Sequence, residues 1–255
     1  METTNTPLPL AGRRALVTGG SRGIGRTVAL ALAAAGADVA ITFSRNTVAA
    51  ATTVDDITKL GRVGRSYQGS VAIVADVHWQ VEAAVRDLGG LDLVVSNAGM
   101  SGSGDPVVET DPGELERMLR VHAFGPHHVA QAALPHLRRN DRSDLVFVSS
   151  IATDTYPANR APHSMGKAAV EALARTVAKE ERSRGVHVNV VAPGLVATEM
   201  GLDFARLSDM DLREREERSP FRHMCTPEEI AEGVLFLVTA SYVNDVRLVV
   251  DGGTF

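Results

Sequence analysis

Apolar and polar positions alternate along this chain in two rhythms. Short apolar runs at Arg14–Val17, Asp38–Phe43, Leu91–Ser96, Leu145–Ser149, His187–Val191 and Leu248–Asp251 have the length of buried strands. Between them, apolar residues recur three and four apart, the spacing of a helix that buries one face. The first helix starts at Gly25-Arg26 and is ended by Gly36, and another runs from about His163 to Arg184. Thr110-Asp111-Pro112 opens a helix predicted to reach from Gly113 to Leu137, strained near Gly125-Pro126. Thr226-Pro227-Glu228-Glu229 opens the last one, with Thr226 as N-cap and Glu229 as its capping-box partner. This alternation predicts an α/β fold: a single doubly wound, Rossmann-type parallel sheet with helices on both faces.

The third strand is less plain. Ile73, Val77, Val81, Val85 and Leu88 fall on one helical face, and Ala84 widens it. That places the strand end at Ser70-Val71, starts the helix near Ala72 and turns Trp79 toward solvent or an interface. The rival register makes Ala72–Val77 the strand, but leaves a helix too short to cross the sheet. Met1–Leu10 has neither a basic region nor a long apolar run, so a loose tail is expected there, outside a domain of residues 11–255. Glu199–Ser219 mixes alternating charges with scattered Met, Leu and Phe, and reads as a mobile substrate flap at about 199–220. The loop Ile151–Pro162 is the other segment expected to face a substrate.

Composition narrows the partners. With 255 residues, 44% of them hydrophobic, the chain can bury a sizeable core. A net charge of −5 speaks against a nucleic-acid or membrane-surface partner, and no segment has the length of a transmembrane helix. One cysteine, Cys225, excludes an internal disulfide framework and suits a reducing cytoplasm. His127 and His128 point in different directions on their helix, so no metal site is expected.

The chemistry gathers at strand ends. The first strand runs into Val17-Thr18-Gly19-Gly20-Ser21-Arg22-Gly23-Ile24-Gly25 and then a helix. Glycines in such a turn let the backbone approach a pyrophosphate resting on the helix N-terminus. No Asp or Glu occurs from Ala40 to Ala51, where an NAD site places an acid on the ribose. Ser44-Arg45 stand there instead, and Arg22 lies in the glycine loop. Two guanidiniums suit a 2′-phosphate, so NADP(H) is expected over NAD, against the alternative of two solvated surface arginines. Asn97-Ala98-Gly99 follow the fourth strand with side chains small enough for a backbone passing close to a ribose.

Together these motifs resemble the short-chain dehydrogenase/reductase family. The resemblance rests on Thr18-Gly19 to Gly25, Asn97-Ala98-Gly99, Ser149-Ser150, Lys167-Ala168-Ala169, Pro193-Gly194 with Thr198, and Val250-Asp251-Gly252-Gly253, in order from Ala15 to Gly253. It implies a cofactor site of Thr18, Gly19, Ser21, Arg22, Gly23, Ile24, Gly25, Ser44, Arg45, Ser70, Val71, Asn97, Ala98, Gly99, Lys167, Pro193, Gly194, Val196 and Thr198. Where the family has Asp-Val after its third strand, the register above puts Ser70-Val71; the rival register would put Asp76 there.

The family's active site is a Ser, a Tyr-x-x-x-Lys thirteen residues later, and an Asn on the preceding long helix. Lys167 matches the Lys and Ser150 the Ser, but His163 stands where the Tyr is expected and His122 where the Asn is expected. Imidazole also moves protons, with a free pKa of about 6.5, while a nearby ammonium favours its neutral form. Tyr156 is the nearest other phenol and reads as a pocket or surface aromatic.

The resemblance implies an NADP-dependent oxidoreductase on a carbonyl or secondary alcohol, assembled as a homotetramer or homodimer. Two alternatives stay open: a dehydratase, cyclase or isomerase using the pocket for non-redox acid–base work, and a non-catalytic NADP-binding protein. The substrate is a small molecule that no motif names.

Overall fold

A computed structural model describes residues 8–206, 217, 219 and 221–254. Seven strands form one parallel sheet: β1 Arg14–Thr18, β2 Asp38–Phe43, β3 Gly64–Gln68, β4 Leu93–Ser96, β5 Ser143–Val148, β6 Val186–Pro193 and β7 Arg247–Val250. Their order is β3-β2-β1-β4-β5-β6-β7. The order reverses between β1 and β4, and the crevice beyond their carboxyl ends is where open α/β sheets bind ligands.

Two apolar layers flank the sheet. Helices α1 (Gly23–Ala34) and α2 (Thr47–Lys59) pack on one face with α9 (Pro227–Thr239). Helices α3 (Val74–Leu88), α5 (Gly125–Leu137) and α7 (Ala161–Glu181) pack on the other. Between α3 and α5 comes α4 (Pro112–Leu119), capped by Asp111. Thr226 and Glu229 close the expected capping box at the start of α9. At the amino ends of the strands, Arg13 bridges the buried carboxylates of Asp92 and Asp144, and Arg14 holds Asp92 again. That ion network ties β1, β4 and β5 at the end opposite the crevice.

Several expectations need correcting. Leu10 is buried and its N–H bonds the Ala35 carbonyl, so order begins before residue 11; residues 1–7 of the expected tail lie outside the described residues. Helix α2 went unread, because its Ala and Thr run gives only three buried positions, Ala50, Thr53 and Ile57. The third strand ends at Gln68, short of the expected Ser70-Val71, and α3 starts at Val74 rather than near Ala72, with Asp76 in its first turn. Ile73, however, is exposed and stands at the N-cap position outside that helix, off its buried face. The Ile151–Pro162 loop contains a helical turn, α6 (Ala152–Thr155), and α7 starts at Ala161. Within the expected flap, α8 (Glu199–Arg206) is helical, and most of the rest lies outside the described residues.

The long helix is interrupted where strain was expected. Arg120–Phe124 is a π segment between α4 and α5. Pro126 offers no N–H to the preceding turn, so a wider turn lets the Gly125 N–H bond the Arg120 carbonyl. His122 sits in this segment.

Candidate active site

The glycine loop is shaped by what cannot fit beside it. Gly19 and Gly23 have φ of +67° and +52°, which an L side chain rarely adopts. A Cβ on Gly25 would stand 2.3 Å from the Gly19 carbonyl oxygen and 2.4 Å from Asn97 Nδ2. The N-cap residue Arg22 is extended and its guanidinium, a donor only, cannot cap the first-turn N–H groups of α1, so the positive end of that helix carries no side-chain cap. Ser21 and Ile24 belong to the same turn. Thr18 Oγ1 accepts the N–H groups of Asn97 and Ala98, each at 3.0 Å, and Asn97 Nδ2 donates to the Thr18 carbonyl at 2.9 Å. These bonds fix the ends of β1 and β4 against each other.

The remaining cofactor candidates line the same edge of the sheet. Ser44 and Arg45 are exposed beyond β2, directly before the Asn46 cap of α2. The Ser70 N–H bonds the Asp76 carboxylate at 2.8 Å, so both residues of the two rival registers meet at one spot. Val71 is buried, with its carbonyl 3.0 Å from His128 Nδ1. Gly99 passes so close to His122 that a Cβ would stand 2.9 Å from its Cε1. Beyond β6, Gly194 bonds Val250, Val196 bridges Cys225, and Thr198 Oγ1 accepts the Gly201 N–H at the start of α8. Arg22 is paired with Glu199 across the mouth of this cleft, and both are exposed. Positive-φ glycines, a helix end open to an anion and a backbone cradle that a Cβ would fill fit a nicotinamide dinucleotide.

Next to the cradle lies a buried basic cluster. Lys167 Nζ donates to the Val148 carbonyl at 2.8 Å, and burial pulls its ammonium down to about 8 while Glu171 acts against that. His163 stands one helical turn before Lys167. Burial first, then the Lys167 and Arg160 cations, pushes its imidazole down to about 3. His122 is 2% exposed and is pushed well below the ordinary range by burial, then by Lys167 and His163. Its Nε2 lies 2.9 Å from the Met100 carbonyl and 3.2 Å from the Met100 N–H, so either tautomer has a partner there. Its buried Nδ1 has none among the described residues. Ser150 follows β5 two residues beyond the carbonyl that Lys167 holds, and its Oγ accepts the Ala152 N–H at 3.1 Å. His163 forms one wall of a cavity of about 130 Å³, which Met100, Met118, Met200, Pro162, Glu114 and Arg160 also line. Tyr156 is 68% exposed and does not line it.

A family model described as Enoyl-(Acyl carrier protein) reductase matches residues 19–254. The chain is 33% identical to the L-rhamnose 1-dehydrogenase (NAD(P)(+)) of Sphingomonas sp. (strain SKA58), over 96% of this chain and 97% of that protein. The chain belongs to the short-chain dehydrogenase/reductase family. It is also 33% identical to a hydroxynaphthalene reductase of Aspergillus fumigatus, over 96% of this chain and 93% of that one. A short-chain dehydrogenase from Burkholderia cenocepacia J2315, solved in complex with NADP, superposes with a TM-score of 0.88 at 31% identity, covering 96% and 98% of the two chains. The protein is thus an oxidoreductase of the short-chain dehydrogenase/reductase kind. Among the described residues, no helix is long and apolar enough to cross a membrane.

Sequence reasoning missed several residues that shape the site. A Cβ on Gly166 would stand 2.6 Å from His122 Cβ, so this glycine admits the π segment against α7. A glycine in mid-helix, costing up to about 1 kcal/mol, was the readable signal. Arg160, Glu114 and the three methionines carried none, since loop and helix residues converge on the cavity only in the fold.

Proposed function

We propose that the chain is an NADP-dependent oxidoreductase acting on a carbonyl or secondary alcohol, with His163 in the role the family gives to Tyr. The observation that carries this is His163 lining the cavity one turn before Lys167. Thr18 to Gly25, Ser44, Arg45, Ser70, Val71, Asn97 to Gly99, Lys167, and Pro193 to Thr198 would hold the dinucleotide. When bound, it supplies or takes the hydride. Ser150 Oγ orients the substrate oxygen. His163 is neutral at pH 7, so it works as a relay: one ring nitrogen gives its hydrogen to the substrate oxygen while the other takes one from Lys167, whose pKa near 8 makes it a ready donor. Oxidation runs the same transfers backwards.

The relatives support this reading for either nucleotide, since the Sphingomonas enzyme is an NAD(P)(+) dehydrogenase and the Burkholderia structure is in complex with NADP. Residues 199–220 serve as the flap in this proposal, and Met200 brings that segment to the cavity wall. Assembly as a homotetramer or homodimer is supported by the half-exposed edge strand β7, and a cytoplasmic site of action by the single free cysteine, Cys225. Two neutral imidazoles beside one lysine also favour a second reading, non-redox acid–base work in the same pocket. Stoichiometric loss of NADPH absorbance with a ketone decides between them. Product formed without NADPH consumption would overturn the redox reading.

A further inference from the structure

Behind the lysine lies a polar network that takes no part in the proton relay. Glu171 stands one turn beyond Lys167 on α7, on the same helical face. Its Oε1 accepts three hydrogen bonds: from Ser149 Oγ at 2.6 Å, Thr153 Oγ1 at 2.8 Å and Arg247 Nε at 2.8 Å. Glu171 and Arg247 are each 16% exposed at the side chain. Arg247 reaches in from β7 at the sheet edge. Its Nη2 donates to the Ser150 carbonyl at 3.3 Å, to Thr153 Oγ1 at 2.9 Å and to the Asp154 carboxylate. One carboxylate thus gathers the residue before Ser150, the turn after it and the far edge of the sheet. These are charge-assisted bonds, about twice as strong as neutral ones.

We propose that Glu171, gripped by Arg247, is the positioning residue of this site: it fixes the Ser149–Asp154 turn that carries Ser150 and provides the counter-charge of Lys167. The groups that face Lys167 allow no substitute. His163 on its own helix and His122 on the π segment are neutral imidazoles. Glu114 of α4 acts on Arg160. Asp154 is held by Arg247 on the far side of Glu171. Among the described residues, Glu171 is the one carboxylate that pulls on the lysine, against the burial that would discharge it.

The inference rests on the reading of Ser150 and Lys167 as site residues, but its test needs neither substrate nor cofactor. The chain has three lysines, Lys59, Lys167 and Lys179, so protein labelled with 13C at lysine Cε gives three signals to titrate by NMR. In Glu171→Gln the midpoint of Lys167 is expected to fall by about one pH unit, the lower end of what one close opposite charge does. Lys59 and Lys179 should stay where they are. Glu171→Asp keeps the charge but withdraws it, so a smaller fall in the same direction is expected, and this variant serves if the glutamine protein does not fold. A residue that only braced the turn would leave the lysine titration alone. An unmoved Lys167 midpoint in either folded variant overturns the proposal, whatever the enzyme turns over.

Discussion

His122 and His163 meet edge to face, with ring centroids 5.3 Å apart and planes at 75°. They come from different elements, the π segment and α7, and meet only because neither Gly99 nor Gly166 carries a side chain. His122 is buried and His163 half-buried, both near the Lys167 ammonium; desolvation first and that cation second lower the pKa of each imidazole, so both are neutral at pH 7. Two neutral imidazoles and an ammonium make a site that can pass a proton along, with the nearby carboxylates, Glu114 and Glu171, engaged elsewhere: Glu114 with Arg160 and Glu171 with Arg247. That distinguishes it from a pocket in which a single phenol gives the proton.

The first prediction concerns His163. His163→Ala should remove turnover by about 10²–10⁴-fold, the usual contribution of one positioned acid–base group. Folding and NADPH affinity should persist, since the ring lines the cavity and is not part of the glycine cradle. His163→Tyr should keep part of the activity on a small ketone if the cavity admits the longer side chain. Turnover is measured with NADPH binding followed separately by fluorescence. A His163→Ala protein that folds, binds and turns over like the parent leaves Tyr156, His122 or a substrate-bound water as the proton source.

The same imidazole makes stability depend on pH. His163 titrates near 3 in the fold against 6.5 in the unfolded chain, so between those values the unfolded state binds more protons. Stability is intact above about pH 6.5 and is lost as pH falls toward 3, at up to about 1.4 kcal/mol per pH unit. His122 is shifted in the same direction and adds to the loss. His163→Gln should therefore show a shallower acid limb than the parent in urea unfolding between pH 7 and pH 4. Parallel limbs would show that burial does not hold His163 neutral.

What the sequence made legible was local. The glycine turn, the capping box at Thr226 and the strain before Pro126 each follow from residues adjacent in the chain, and each appears in the fold. Lys167 and His163 could be paired because they lie one helical turn apart. Helix α2 was invisible because Ala and Thr give little apolar contrast, and Arg160, Glu171 and Arg247 were invisible because their meaning depends on partners far away in sequence. Arg247 lies 76 residues from Glu171, and no periodicity brings such a pair together. The Asp76 question had a spatial answer: the strand ends before Ser70, yet the carboxylate folds back onto the Ser70 N–H.

Cofactor preference can be tested at Glu199. Arg22 is paired with this residue across the cleft, so a 2′-phosphate must take the guanidinium from it. Both side chains are exposed, and such pairs are worth about 0–1 kcal/mol. Glu199→Gln should accordingly raise NADPH affinity by up to about fivefold and leave NADH affinity unchanged, while Arg45→Ala should lower NADPH affinity alone. Fluorescence titration with both nucleotides reads this. Equal affinity of the parent for NADH and NADPH, untouched by either substitution, would remove the basis for NADP.

Gly166 sets two effects of opposite sign against each other. Replacing a helix-interior glycine by alanine ordinarily stabilises by up to about 1 kcal/mol, because the chain loses less backbone freedom on folding. Here the new methyl would lie 2.6 Å from His122 Cβ, a contact that must be relieved by moving the π segment away from α7. His122 is buried, and its ring also touches Gly99, which leaves it little room to yield. Overpacking of this kind costs about 1–3 kcal/mol, so the clash wins and Gly166→Ala should unfold at lower urea than the parent. The displaced His122 should also lose its contact with Met100 and with His163, and turnover should fall more than stability alone explains. The comparison is made at a temperature where both proteins are fully folded. An alanine variant that is more stable than the parent, with unchanged turnover, would show that the π segment is not pinned against α7 and that the two imidazoles need not meet.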